Sequence, residues 1–396
     1  MHSRRHDHPK RPGRRRLGAW LLAASLMATA GCGDDHRGER DLTGALAPVG
    51  VSSLEALGQS LYFDPDLSDP AGQSCASCHL PSAGFADPDA ELPTSRGVLP
   101  DRFGNRNTPT AAYALFSPEF HFDAQEGLFV GGQFLDGRAA TLEEQAKAPF
   151  LNPVEMNNPD RAAVVDKVRQ ADYAALFEEV FGAGALDDAD TAYEEIVEAI
   201  AAFERTEVFR PFTSKYDYFL AGQVALSDQE RRGLELFEAE DKGNCAACHP
   251  SQPGEDGSPP LFTDFTYDNL GVPPNPDNPF LRLPSELNPD GDAFVDLGLG
   301  GALDDPAEDG KFKVGNLRNI ALTAPYMHNG VFATLEEVAD FYNTRDVKDD
   351  WPDPEVAANV NHDELGDLRL TDQEVEDIVA FLHTLTDGFV LPDTGE

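Results

Sequence analysis

The sequence predicts an all-α fold of two tandem helical domains with long loops, and three observations predict it. Ser52-x-x-Glu55, Ser227-x-x-Glu230 and Thr371-x-x-Glu374 each carry the reciprocal cap of a helix start, ahead of apolar residues at helical spacing. A Cys-x-x-Cys-His string follows the first two, at Cys75 and at Cys245, so one helix-then-cysteine order recurs after 170 residues. The remaining segments, 250–310 above all, are rich in Pro, Gly and Asp and read as loops, and no strand-based core is suggested anywhere. With 396 residues, 41% of them hydrophobic and 25 Phe, the chain has the apolar material for sizeable cores, which sets wholesale disorder aside.

Residues 1–31 read as an export signal. Arg4, Arg5, Lys10, Arg11, Arg14, Arg15 and Arg16 form a basic head, and 17–30 an apolar run. The run ends in Ala28-Thr29-Ala30-Gly31-Cys32, which looks like a bacterial lipoprotein box whose Cys32 becomes the acylated first residue. The other reading is an ordinary signal peptide cut near Ala30. Both predict a periplasmic protein, and the first adds a lipid anchor. Residues 32–50 are polar and read as a tether. Beyond the leader no apolar run reaches the roughly 18 residues of a membrane-spanning helix. Lys and Arg number 30 against 71 Asp and Glu, a net charge of −41. So acidic a surface repels phosphate, which excludes a nucleic-acid binder. It would steer a basic protein partner, and plain solubility accounts for it equally well.

The first domain takes residues 51–220 and the second 221–396. In the first, the Ser52 box opens a helix that runs to Leu61-Tyr62-Phe63, and 142–148, 161–181 and 191–207 read as further helices. In the second, the Ser227 box leads to Leu236-Phe237, and 335–342 reads as a helix. The Thr371 box opens a last helix with Val375, Ile378, Val379, Leu382 and Leu385 on one face. That face is core, packed on the helix before the second cysteine string.

Four of the five Cys form Cys75-Ala76-Ser77-Cys78-His79 and Cys245-Ala246-Ala247-Cys248-His249. C-x-x-C-H is the attachment signature of c-type haem: two thiols make thioethers with the porphyrin vinyl groups, and the adjacent His is directed at the iron. One such string also arises by chance, or in redox and zinc motifs. A pair of disulfides is the competing reading in an oxidising compartment. Such a bond closes a very small loop, stabilises little and leaves both His unexplained. The residues therefore predict two covalent haem c groups with His79 and His249 as axial ligands, in two cytochrome c-like domains.

Around these strings stand Arg106-Asn107-Thr108-Pro109-Thr110, Asp136-Gly137-Arg138 leading to Leu142-Glu143-Glu144-Gln145-Ala146, and Asn152-Pro153-Val154-Glu155-Met156. Leu317-Arg318-Asn319 leads in turn to Ala324-Pro325-Tyr326-Met327-His328-Asn329-Gly330. With them the chain resembles the bacterial di-haem cytochrome c peroxidase family, including its MauG-type branch, over about residues 50–390. The resemblance implies that the N-terminal haem handles hydrogen peroxide while the C-terminal haem relays or stores electrons. It implies a catalytic pair, Glu155 as acid–base and Gln145 as its orienting partner. The chemistry needs such a pair, because peroxide must lose a proton to bind iron and its outer oxygen must gain one to leave as water. By residue type alone, either would be an ordinary surface polar group.

The resemblance also assigns ligands. Reductively activated members carry a blocking His on the loop after the first cysteine string. Here Val98 matches that position, so the first iron is expected to be five-coordinate or water-bound. His121 is the one His that could replace it, and its bland reading is a partly exposed residue among Phe116, Phe120 and Phe122. At the second iron the family's Met position matches Tyr342, as in the MauG-type branch, with Met327 as rival. A phenolate favours ferric and higher states. His328 is read as a hydrogen-bonding neighbour rather than a ligand. Asn107, Thr323 and Pro325 match the family's calcium site, whose oxygen ligands suit that ion. Asn288-x-Asp290-x-Asp292 looks like a second calcium loop, or simply an acidic turn. Leu135 stands where many members have Trp, and Trp351 lies far off in sequence.

Three functions follow. One is a peroxidase supplied with electrons by a small cytochrome c or cupredoxin. Another is a MauG-type enzyme that oxidises Tyr or Trp of a partner protein. The last is a non-catalytic di-haem electron carrier. The family resemblance also allows a homodimer, for which the sequence carries no diagnostic stripe.

Overall fold

Ser52 begins the first ordered helix as its box predicts. Its hydroxyl accepts from the Glu55 amide, and the Glu55 carboxylate accepts from the Ser52 amide at 2.7 Å. The structure is a computed structural model that describes residues 52–254 and 257–392; the leader 1–31, Cys32 and the tether lie outside the described residues. Among those residues no helix is long and apolar enough to cross a membrane.

The helices are α1 (Ser53–Tyr62), α2 (Cys75–Cys78), α3 (Leu142–Leu151), α4 (Arg161–Gln170), α5 (Ala174–Phe181), α6 (Ala189–Glu204), α7 (Lys215–Leu220), α8 (Asp228–Glu238), α9 (Gly298–Leu303), α10 (Leu335–Thr344) and α11 (Asp372–His383). Two small antiparallel pairs join them: β1 (His121–Asp123) with β2 (Leu128–Val130), and β3 (Tyr267–Asp268) with β4 (Phe312–Lys313). The segment 161–181, predicted as one helix, is two. Ala171 leaves helical geometry at ψ 154°, and the chain turns through Asp172 before α5 begins. The last predicted helix of the first half starts at Ala189 rather than 191, because Asp188 and not a later residue caps it. It also ends at Glu204, and 207 belongs to a separate turn.

The described residues form one compact unit with two main hydrophobic cores. Leu57, Leu61, Ile196, Ile200 and Phe203 sit in the first, and Leu234, Phe237, Ile378, Val379 and Phe381 in the second. All five predicted core residues of this last segment are in the second cluster, four on α11 and Leu385 just past its end. The two cores repeat one device. α1 crosses α6 at Gly58, where a Cβ would overlap the Ala199 carbonyl oxygen and crowd the Phe203 side chain; α8 crosses α11 at Gly233, where it would meet Asp377 and Phe381 in the same way. Glycine here permits close helix approach, since both residues are helical. Gly58→Ala or Gly233→Ala must push two helices apart, and each should lower stability by roughly 1–3 kcal/mol in a urea melt of the haem-loaded protein.

Candidate active site

After α1 the chain turns into α2, which presents Cys75 and Cys78 with His79 at its end. These three line a cavity of about 180 Å³ in the first half. The His79 ring is held by its Nδ1, 3.1 Å from the Phe85 carbonyl oxygen, and the Tyr62 hydroxyl donates to the His79 carbonyl at 2.9 Å. Burial lowers the imidazole's pKa and keeps it neutral, the form that ligates metal. Burial also raises both thiols, Cys78 to about 12. The Gln73 amide nitrogen caps the wall by donating to the Arg96 carbonyl at 2.8 Å, while its buried Oε1 has no partner among the described residues.

The same cavity receives Gln145 from α3 and Glu155 from the turn that follows it. The Glu155 amide donates to the Asn152 carbonyl at 3.0 Å, and its own carbonyl accepts from Val98 at 2.9 Å. The segment around Val98 thus buttresses the Glu155 backbone, and Val98 does not line the cavity. Burial raises the Glu155 carboxyl above the usual range, opposed by the Arg138 charge and a hydrogen bond from Asn152. Arg138 shares Asp136 with Arg106, at 2.8 and 2.6 Å, and Arg106 is also held by Asp296. His121 is exposed on the β1–β2 hairpin and lines neither cavity, more open than its bland reading supposed.

Met156 and Glu204 are lining residues to which the sequence assigned no role. Met156 reaches the cavity from the first hydrophobic core. Glu204 reaches it from the end of α6, its carboxyl pushed up to about 8, chiefly by burial. Its signal was available: it falls four residues after Ile200, on the apolar stripe of a helix.

The second half holds a larger cavity of about 370 Å³, lined by Cys245, Cys248 and His249. The His249 Nδ1 lies 2.7 Å from the Phe262 carbonyl oxygen, and no described residue bonds its Nε2. Burial raises both thiols to about 12. Tyr342 of α10 and Met327 both line this cavity. The Tyr342 phenol is raised, first by burial and then by the neighbouring thiols, and its hydroxyl has no hydrogen-bond partner among the described residues. Met327 has a left-handed backbone, φ 70°. His328 also lines the cavity, but its Nε2 is 3.0 Å from Glu355 and its ring stacks on Phe312 at 3.9 Å.

Asn107, Thr323 and Pro325 all line this cavity. Asn107 donates through Nδ2 to the Pro93 carbonyl, and no described donor reaches its Oδ1 or the carbonyls of Thr323 and Pro325. Asn107, Gln133, Phe134 and Leu135 line both cavities, so one thin wall separates them. Trp351 instead packs on Phe332 and Phe341, away from that wall. The four cysteines among the described residues are free. Free thiols beside a neutral imidazole on an apolar cavity, once in each half, fit two covalently held haems.

A family model of di-haem cytochrome c peroxidases matches residues 52–225. The methylamine utilization protein MauG of Paracoccus denitrificans is 41% identical over 390 residues, 94% of this chain and 95% of that protein. The chain belongs to the di-haem cytochrome c peroxidase family. A cytochrome-c peroxidase of Denitromonas iodatirespirans is 32% identical over 94% of this chain and 92% of its own length. The crystal structure of the di-haem peroxidase BthA of Burkholderia thailandensis superposes with a TM-score of 0.76 at 35% identity, covering 89% of this chain and 91% of BthA. Membership makes the protein a di-haem oxidoreductase of mostly helical, cytochrome c-like fold, and the family carries two haems.

Proposed function

We propose that the protein reduces hydrogen peroxide in the first cavity, with residues 51–220 as the peroxide-reactive domain and 221–396 as the electron-transfer domain. The observation that carries this reading is that Glu155 and Gln145, from separate elements, line the buried cavity that also holds Cys75, Cys78 and His79. When bound, haem supplies the redox chemistry that divides the O–O bond. The chain supplies the protons. Glu155 takes one from the incoming peroxide and returns one to the departing oxygen, while the Gln145 amide orients the molecule by hydrogen bonding. Two electrons and two further protons turn one peroxide into two waters. Mixing the oxidised holoprotein with peroxide, for the wild type and Glu155→Gln, tests the reading. Glu155 acts first as a base, so the rate should fall as pH drops through its pKa. Because that pKa is raised, the acid limb of the pH–rate profile should lie above the ordinary Glu range and vanish in Glu155→Gln.

Tyr342 and the likeness to MauG favour a second reading, in which the oxidising equivalents modify Tyr or Trp of a partner protein. Rapid steady-state consumption of peroxide with reduced cytochrome c would count against it. Tyr342 is the proposed sixth ligand of the second haem, beside His249, on account of its unpartnered hydroxyl. Tyr342→Phe should change that haem's electron spin resonance signal, whereas Met327→Leu should leave it unaltered. We assign a calcium ion to Asn107, Thr323 and Pro325, a small cytochrome c or cupredoxin as electron donor, and a periplasmic location with an anchor at Cys32.

A further inference from the structure

Lys313 of β4 points to a site that the peroxidase reading leaves unused. Among the described residues it is the one Lys or Arg that lines the second cavity, whereas Arg96, Arg106 and Arg138 line the first. Its Nζ donates to the Gly132 carbonyl oxygen at 2.6 Å, and it makes no ion pair with a carboxylate among the described residues. The acids on the same wall are engaged elsewhere: Asp296 with Arg106, Glu355 with His328, and Asp268 and Glu364 with Asn361. Asp136, the carboxylate that acts on Lys313 from a distance, is held by two arginines. Burial accordingly pulls the ammonium down to about 8.

An ammonium has three donors, and a buried one left without an anion is costly. The walls beside it, Phe134, Leu135, Phe312 and Val314, are largely apolar and offer none. We propose that Lys313 is the counter-ion for a carboxylate on the edge of the second haem, a porphyrin propionate. Its main chain gives this anchor a second consequence, because the Lys313 amide donates to the Leu135 carbonyl at 2.8 Å. Lys313 is thus hydrogen-bonded at both ends to the segment 132–135, which forms the wall between the cavities. The cofactor's carboxylate edge is tied to that wall, giving a hydrogen-bonded route past Leu135 where no oxidisable ring stands.

The inference rests on haem occupying this cavity, and its test separates the two ideas. Potentiometric titration of the holoprotein, followed at each haem's absorption, compares the wild type with Lys313→Met, Lys313→Gln and Lys313→Arg. A nearby cation favours the reduced haem. At a fixed applied potential, Lys313→Met should therefore lower the ferrous-to-ferric ratio of the second haem by about tenfold and leave the first unchanged. Lys313→Gln keeps a donor for Gly132 but no charge, and should behave like Met; Lys313→Arg should restore the wild-type ratio. An unchanged ratio in a coloured, folded Lys313→Gln protein overturns the proposal, as does an equal shift at both haems. A colourless wild-type protein would overturn the haem reading instead.

Discussion

Glu155→Gln should slow the reaction of the oxidised holoprotein with peroxide by about 10²–10⁴-fold, the usual range for removing a general acid–base. Gln is nearly isosteric and can keep the contact with Asn152, so the cavity should retain its shape. The amide can neither accept the peroxide proton nor return it. The deficit should narrow at alkaline pH, where more of the peroxide is already deprotonated. Gln145→Ala should cost less, since it removes orientation and leaves the proton transfers in place. Stopped-flow absorption in the haem band measures all three. An unchanged rate in Glu155→Gln would leave a di-haem electron carrier as the better reading.

Arg318→Met should produce the largest loss of stability. The Arg318 side chain is fully buried, its guanidinium is bidentate on Asp217 at 3.0 and 2.8 Å, and its Nε donates to the Pro260 carbonyl. It lies over the rings of Phe212 and Tyr113, at 4.5 and 5.0 Å. Removing it strands a buried carboxylate that also caps α7 through Ser214. Breaking such a pair from one side costs about 3–5 kcal/mol. Pairing the change with Asp217→Asn should recover much of that loss in a denaturant melt. Burial pushes the Asp217 carboxyl up, but Arg318 and Ser214 outweigh it and hold the pKa below the usual value. A depressed carboxylate contributes its stability above its unfolded pKa and loses it as pH falls through the folded one. Wild-type stability should therefore drop on acidification below the ordinary Asp range, and the Arg318→Met protein should show a weaker drop there.

Much of this molecule was readable residue by residue. The Ser52, Ser227 and Thr371 boxes are contacts across three residues, and each forms as written. The cysteine strings are equally local, and both face cavities. Leu317-Arg318-Asn319 was visible as a motif, yet its buried ion pair joins residues 101 apart and had no sign in the spacing. Gly58 and Gly233 were silent for the same reason, because what they permit is an approach by another helix. The break between α4 and α5 was missed since 161–181 keeps helical composition throughout. Lys313 carried no signal at all. A lysine's meaning depends on whether an anion faces it.

The sequence by itself determined the two cysteine strings, the three helix starts that carry a reciprocal cap and the family, because each depends on residue types at short separations. Only the tertiary structure decided that Glu204 joins Glu155 and Gln145 on one cavity, that burial raises the two carboxyls, and that Leu135 and Phe134 stand in a wall common to both cavities. Those properties come from desolvation and from contacts between distant segments, and neither is written in local order.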